Sequence, residues 1–287
     1  MVSPQQFDFT DSTGTTLAAY HWAPEGPPRA AVEIVHGMGE HVLRYQGLAD
    51  ALCAQGFAVY GYDQRGHGAS IAGEPGAIGA DGWAGLVADI GEFGRLIRER
   101  EPGLRLGLVA HSMGSFATQQ ALLADSEVFD AVVLSGTAAM DILEPALDLS
   151  APLDLAMFNA AFAPARTDYD WLSRDEEQVD RYVADPLCGF GLDVEAGAAM
   201  FVGARALADP ANVAQIRSGL PVLIAVGDQD PVNGGLGLFE PLVERFRAAG
   251  LDVTPIVYEG ARHEILNETN RDTVIADVTG WLADRLV

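Results

Sequence analysis

Lysine is missing from this chain: all 17 of its basic side chains are arginine. Against 41 Asp and Glu they leave a formal charge of −24, which argues against nucleic acid or an anionic membrane surface as partner. A GC-biased genome, which uses Arg for Lys and enriches Ala and Gly, accounts for the missing lysine. Salt adaptation stays open as the source of the acidic surplus. Cysteine is nearly as scarce. Cys53 and Cys188 lie far apart and make no C-x-x-C pair, so the expectation is a cytoplasmic protein with free thiols. No apolar run reaches about 18 residues, so no membrane span is expected. The opening Met-Val-Ser-Pro-Gln-Gln has neither a basic nor an apolar stretch, and no secretion signal is expected. Repeats and low-complexity linkers are absent too. What remains is 287 residues, 49% of them apolar and 20% charged, enough for one large α/β domain with a sizeable insertion.

The order of patterns is more specific. Gln5 to Thr10 and Thr15 to Trp22 read as antiparallel strands turned at Ser12-Thr13-Gly14. Six apolar, β-rich runs follow: Ala30 to Val35, Ala58 to Tyr62, Leu106 to Val109, Ala131 to Leu134, Val222 to Val226 and Val253 to Tyr258. Between and after them lie helical patterns over Tyr45 to Ala54, Gly82 to Arg100, Ser115 to Ala124, Leu236 to Ala249 and Thr269 to Leu286. Continuous apolar strands separated by helices predict a mostly parallel, eight-stranded sheet covered on both faces, with reactive groups at the carboxyl ends of its strands. The alternation breaks between about Thr137 and Gly219. That interval carries exposed-looking apolar residues, Leu143, Leu147, Leu153, Met157, Phe158, Phe162, Trp171 and Leu172, and no strand-like run. It is too long for a simple connection. The expectation is a helical cap over 137–219, set on a core of 1–136 and 220–287.

Ala110-His111-Ser112-Met113-Gly114 carries the chemistry. A strand, a serine at a sharp turn and a helix are the context of a nucleophile elbow. A serine hydroxyl needs a base, and the base needs a partner that fixes its tautomer. Both are found at later strand ends, in the order serine, acid, histidine. Gly227-Asp228-Gln229-Asp230-Pro231 offers two acids. Asp230, deeper in the loop and just before a proline, is preferred, and Asp228 is read as bracing the turn. Glu259-Gly260-Ala261-Arg262-His263 supplies His263, the one histidine that falls after the acid loop. Two backbone N–H donors for an oxyanion are expected from Met113 and from Met38 in the glycine-rich loop His36 to His41. Asp63 to Ser70 reads as a structural loop near the site, and its spacing matches no metal pattern. His36, His41 and His111 read as hydrogen-bonded scaffold, and Cys188 as a buried small apolar residue rather than one at the cap entrance.

Together these segments resemble the α/β-hydrolase family of monoacylglycerol lipases and bacterial lysophospholipases, grouped with serine-aminopeptidase-like hydrolases. Trp171 to Asp175 and Asp185 to Phe190 are similar to the cap of bacterial members. The resemblance spans nearly the whole chain. It departs from the common pattern at Ala110, where glycine is usual, and at Ser115. It implies Ser112 as nucleophile, Asp230 as acid, His263 as base, and the Met38 and Met113 amides as the oxyanion hole. The expected reaction is hydrolysis of carboxylic esters, glycerol monoesters foremost, through an acyl-enzyme and without metal or organic cofactor. Leu143, Leu147, Leu153, Met157 and Phe158 are expected to line the acyl pocket, with at most transient membrane contact by the cap. A lysophospholipase, a peptidase and a catalytically silent binding protein are the alternatives.

Overall fold

The computed structural model describes residues 1–151 and 155–287, so Leu153 lies outside the described residues. One sheet of eight strands organises the chain: β1 (Gln5–Thr10), β2 (Thr16–Trp22), β3 (Ala30–Val35), β4 (Phe57–Tyr62), β5 (Leu106–His111), β6 (Ala131–Ser135), β7 (Pro221–Gly227) and β8 (Asp252–Tyr258). Their spatial order is β1-β2-β4-β3-β5-β6-β7-β8. The β1–β2 and β2–β4 pairs are antiparallel and the rest parallel. Every residue of β3, β4, β5 and β6 is buried, as expected for strands covered on both faces. Edge strand β8 is half exposed, and there Pro255 is tolerated because an edge leaves one side of the strand without a ladder.

The helices divide between the two faces. α1 (Gln46–Ala54) and α9 (Arg271–Leu286) pack on one, burying Leu48, Leu52, Val274 and Leu282 against the sheet. α2 (Gly82–Arg100), α3 (Met113–Asp125) and α8 (Phe239–Ala248) bury Ile90, Phe93, Leu122 and Phe246 on the other. The predicted helix from Leu236 starts only at Phe239. Gly234 and Gly235 turn through positive φ, and Leu236 itself sits at φ 74°, which no helix accommodates.

Between β6 and β7 no strand occurs among the described residues. α4 (Met140–Leu143), α5 (Glu176–Ala184), α6 (Val194–Ala204) and α7 (Pro210–Val213) lie there, joined by 3-10 segments, the longest Leu155–Phe162, and loops. Aspartates start three of them. Asp175 accepts from the Glu177 and Gln178 amides, Asp193 from Ala196 and Asp209 from Ala211, satisfying first-turn donors the helices cannot. Trp171 and Leu172, exposed-looking in sequence, are buried. The chain here returns to the core: the His263 amide donates to the Trp171 carbonyl at 3.4 Å and the Glu264 amide to that of Leu172 at 2.7 Å.

One core residue runs against its surroundings. Glu33, in the middle of β3, is 0% exposed and neither carboxyl oxygen has a hydrogen-bond partner. Burial pushes its pKa well up, so the folded protein holds the proton. The unfolded chain gives up that proton near pH 4.3. Rising pH above that value therefore favours unfolding until the folded group also ionises. Replacing Glu33 with leucine is expected to raise stability at pH 7 by about 1–3 kcal/mol, the cost of leaving such a group unsatisfied. It should also flatten the fall in stability above about pH 4.3. Urea unfolding at several pH values checks both; a Glu33→Leu protein less stable than the parent contradicts the reading.

Candidate active site

The direction of travel along the sheet reverses beside β3: the chain steps from β3 to β4 on one side, then to β5 on the other. A crevice opens at the carboxyl ends of strands where the order reverses this way. The loop after β3 and the turn after β5 face each other across it.

Ser112 occupies the turn between β5 and α3 at φ 50°, ψ −123°. Besides Leu236 it is the only non-glycine residue at positive φ among those described. Three contacts hold this strained backbone. The Ser112 amide donates to the Ser135 carbonyl at 3.0 Å, and its own carbonyl accepts from the Phe116 amide at 3.0 Å and from Ser115 Oγ at 2.6 Å. Ser115, a departure from the common pattern, thus ties the turn, and its hydroxyl also meets that of Thr137 at 2.9 Å. Gly114 is required by close approach: a Cβ there would stand 2.4 Å from the His36 carbonyl oxygen and 2.7 Å from that of Val35. Ala110 is wholly buried in β5, paired with Val35 and Leu134, and its methyl is absorbed by the core.

His263 reaches this turn from the loop after β8. Its Nε2 lies 2.8 Å from Ser112 Oγ and its Nδ1 2.9 Å from Asp230 Oδ2. His263 is 2% exposed and Asp230 1%. The other Asp230 oxygen accepts from the Val232 amide at 2.9 Å, which fixes the carboxylate. A carboxylate only accepts, so Nδ1 carries the proton and Nε2 presents its lone pair to the hydroxyl. Burial on its own would lower the His263 pKa. The charge and hydrogen bond of Asp230, with Glu264 and Glu40 beyond, outweigh burial and raise it above the ordinary value. Asp228 faces elsewhere, accepting from the Gly260 amide at 2.7 Å and so bracing the β7 and β8 loops.

Two further histidines fix the frame. His36 accepts from the Gln64 amide at Nε2 (2.9 Å), which leaves Nδ1 to donate to the Gly37 carbonyl at 2.8 Å. His111 packs 4.8 Å from the His263 ring; burial foremost, then the His263 charge, pushes its pKa down to about 3, so it stays neutral. Trp171 covers the His263 ring from another side, centroids 5.0 Å apart.

Met113 heads α3, so its amide lies in the first turn, where no carbonyl of the helix can accept it. Met38 lines the same cavity from the loop after β3. That loop is anchored by Glu40, whose Oε1 accepts from the Gly37 amide at 2.6 Å and the Tyr45 hydroxyl at 2.7 Å. Arg44 joins Glu40 (2.5 Å) to Glu264 (2.6 and 2.7 Å). Burial would raise the Glu264 pKa, but Arg44 outweighs it and draws it down to about 2. The loop after β3 and the loop bearing His263 are therefore held to one guanidinium. Sequence reasoning missed Glu264, Arg44 and Trp171 as parts of the site. Only the i,i+4 spacing of Glu40 and Arg44 was a local sign.

In front of Ser112 lies a cavity of about 340 Å³. Leu143, Leu147, Met157 and Phe158 line it, together with Phe116, Met140, Leu155, Met200, Phe201 and Leu238, which sequence reasoning did not name. Among the described residues Glu40 and Glu264 are the carboxylates that line it, and no arginine does. Such an arrangement offers an activated hydroxyl, a proton carrier and an apolar slot for one substituent of the substrate.

A family model described as "Serine aminopeptidase, S33" matches residues 26–270. The chain is 31% identical to a monoacylglycerol lipase of Mycolicibacterium smegmatis over 98% of each protein. It is 29% identical to the monoglyceride lipase of Mus musculus, across 99% of this chain and 94% of that one. Among solved structures, a thermostable carboxyl esterase from Bacillus coagulans in complex with glycerol superposes with a TM-score of 0.89 at 23% identity, covering both chains completely. No helix among the described residues is long and apolar enough to cross a membrane.

Proposed function

Because this chain belongs to the α/β-hydrolase family described as serine aminopeptidase S33 and is a carboxylic-ester hydrolase, we propose that Ser112, Asp230 and His263 are its catalytic triad and that glycerol monoesters of medium or long acyl chains are its substrates. The observation that carries this reading is the hydrogen-bonded chain from Asp230 through His263 to Ser112 at the wall of an apolar cavity. Ser112 Oγ attacks the ester carbonyl while His263 Nε2 takes its proton, and Asp230 stabilises the imidazolium. The Met38 and Met113 amides receive the oxyanion, each such donor being worth about 10²–10³ in rate. His263 then returns the proton to the departing glycerol. Water, activated by the same imidazole, releases the fatty acid from Ser112. We assign 1–136 and 220–287 to the catalytic core and 137–219 to a cap whose apolar side chains hold the acyl chain.

The lining supports a neutral head group. A phosphate ester would meet Glu40 and Glu264 with no arginine free to receive it. The same two carboxylates argue against an aminopeptidase, since both are spent on Arg44 rather than free for a substrate ammonium. The relatives are named monoacylglycerol or monoglyceride lipases, which supports the glycerol ester. Unpaired Cys53 and Cys188 support a cytoplasmic setting.

The test is kcat/KM on monoacylglycerols from acetyl to dodecanoyl, beside lysophosphatidylcholine of matched chain. Burying a methylene is worth about 0.8 kcal/mol, so kcat/KM should rise up to about fourfold per methylene until the cavity fills. The glycerol ester should outrun the phospholipid. A steady fall from acetyl to decanoyl overturns the acyl-pocket assignment, and preference for lysophosphatidylcholine overturns the head group.

A further inference from the structure

His41 follows the glycine-rich loop after β3, and Asp185 and Cys188 sit on the turn that closes α5. One ligand atom from each lies within 4.8 Å of the other two. We propose that these three side chains form a binding site for a borderline-soft divalent cation, Zn²⁺ by its ligand set, that clasps the 137–219 segment to the catalytic core. Imidazole, carboxylate and thiolate are all zinc ligands, and three protein ligands with a fourth position left to water make an open tetrahedral site.

The backbone holds the two halves together before any ion arrives. The Gly189 amide donates to the Gly39 carbonyl at 3.0 Å, and a Cβ on Gly39 would stand 2.2 Å from the Phe190 carbonyl oxygen. The Cys188 amide donates to the Asp185 carbonyl at 3.0 Å, which sets both side chains on one side of the turn. The Leu187 amide occupies Asp185 Oδ1 at 2.9 Å and so aims Oδ2 at His41 Nε2, 3.0 Å away. That second contact orients the carboxylate as outer partners orient metal ligands. Charge does not oppose a cation: Arg44 nearby is already matched by Glu40 and Glu264, and among the described residues Asp185 has no arginine within ion-pair distance. An entry path exists as well, because His41 and Asp185 line a surface groove of about 900 Å³. Binding exchanges the Cys188 S–H bond for an S–Zn bond and sends the proton to solvent, with no change of oxidation state.

Calorimetric titration of the metal-free protein with ZnCl₂ is expected to show one saturable site and a rise in Tm on occupancy. Losing only an outer partner of a metal ligand costs about 10–100-fold in affinity, so Cys188→Ala and Asp185→Asn should each weaken zinc binding at least that much. Co²⁺ should give thiolate charge-transfer absorption in the parent and none in Cys188→Ala. None of the three residues lines the catalytic cavity, so esterase activity of the metal-free variants reports that they are folded. Absence of saturable binding in the parent, or binding unchanged in either variant, overturns the proposal and leaves His41 and Asp185 as a hydrogen-bonded pair.

Discussion

Ser112→Ala is expected to lower kcat on a monoacylglycerol by about 10⁶-fold, the loss seen when a triad nucleophile is removed from other serine hydrolases. The size follows from the geometry. Ser112 Oγ is the atom His263 Nε2 reaches, at 2.8 Å, and among the described residues no other hydroxyl shares that contact. The substitution keeps a Cβ at φ 50°, so backbone strain is unchanged. All the hydrogen bonds that hold the turn run through the Ser112 amide and carbonyl, which alanine retains. Tm should therefore stay close to that of the parent and KM should move little. Steady-state kinetics with a thermal melt checks this. Residual activity within tenfold of the parent would mean that a different group attacks the ester.

Asp230→Asn is the second large effect, about 10⁴-fold in kcat. The amide can turn an N–H toward His263 Nδ1, which moves the imidazole proton to Nε2, the wrong side for accepting from Ser112. The pH profile adds an independent sign. His263 must be neutral to act, and its pKa is raised because Asp230 outweighs burial. In the parent, activity falls as pH drops through a value above about 6.5. Without the carboxylate, burial prevails, and the residual activity of Asp230→Asn should persist to lower pH. Asp228→Asn serves as the contrast. Its carboxylate holds only the Gly260 amide and a neighbouring glutamine, so kcat should change less than tenfold and the acid limb should stay in place. If Asp228→Asn were the crippled variant, the acid would be misassigned.

How much of this was legible beforehand varies with distance along the chain. The strands were readable because β3 to β6 are buried on both faces and so appear as unbroken apolar runs. That Ser112, Asp230 and His263, proposed here as a triad, would meet was readable because a parallel sheet puts successive loops at one end, and their order along the chain did the rest. Asp228 and Asp230 differ by two residues, and only the depth in the loop and the following Pro231 favoured one. What was not legible depends on pairings that leave no local trace. Arg44 meets Glu264 across 220 residues and His41 meets Asp185 across 144. Trp171 and Leu172 read as surface because nothing near them shows that their carbonyls accept from the His263 loop. That single return of the chain turns an exposed-looking Trp-Leu pair into the wall beside His263.

The account stands or falls on Ser112 being the activated nucleophile of an ester hydrolase. Intact mass and peptide mapping after exposure to a fluorophosphonate test it directly. One adduct per chain on Ser112, formed more slowly when a monoacylglycerol competes and missing from Ser112→Ala, is the predicted result. No adduct on the folded parent, or an adduct on another residue that persists in Ser112→Ala, would contradict it.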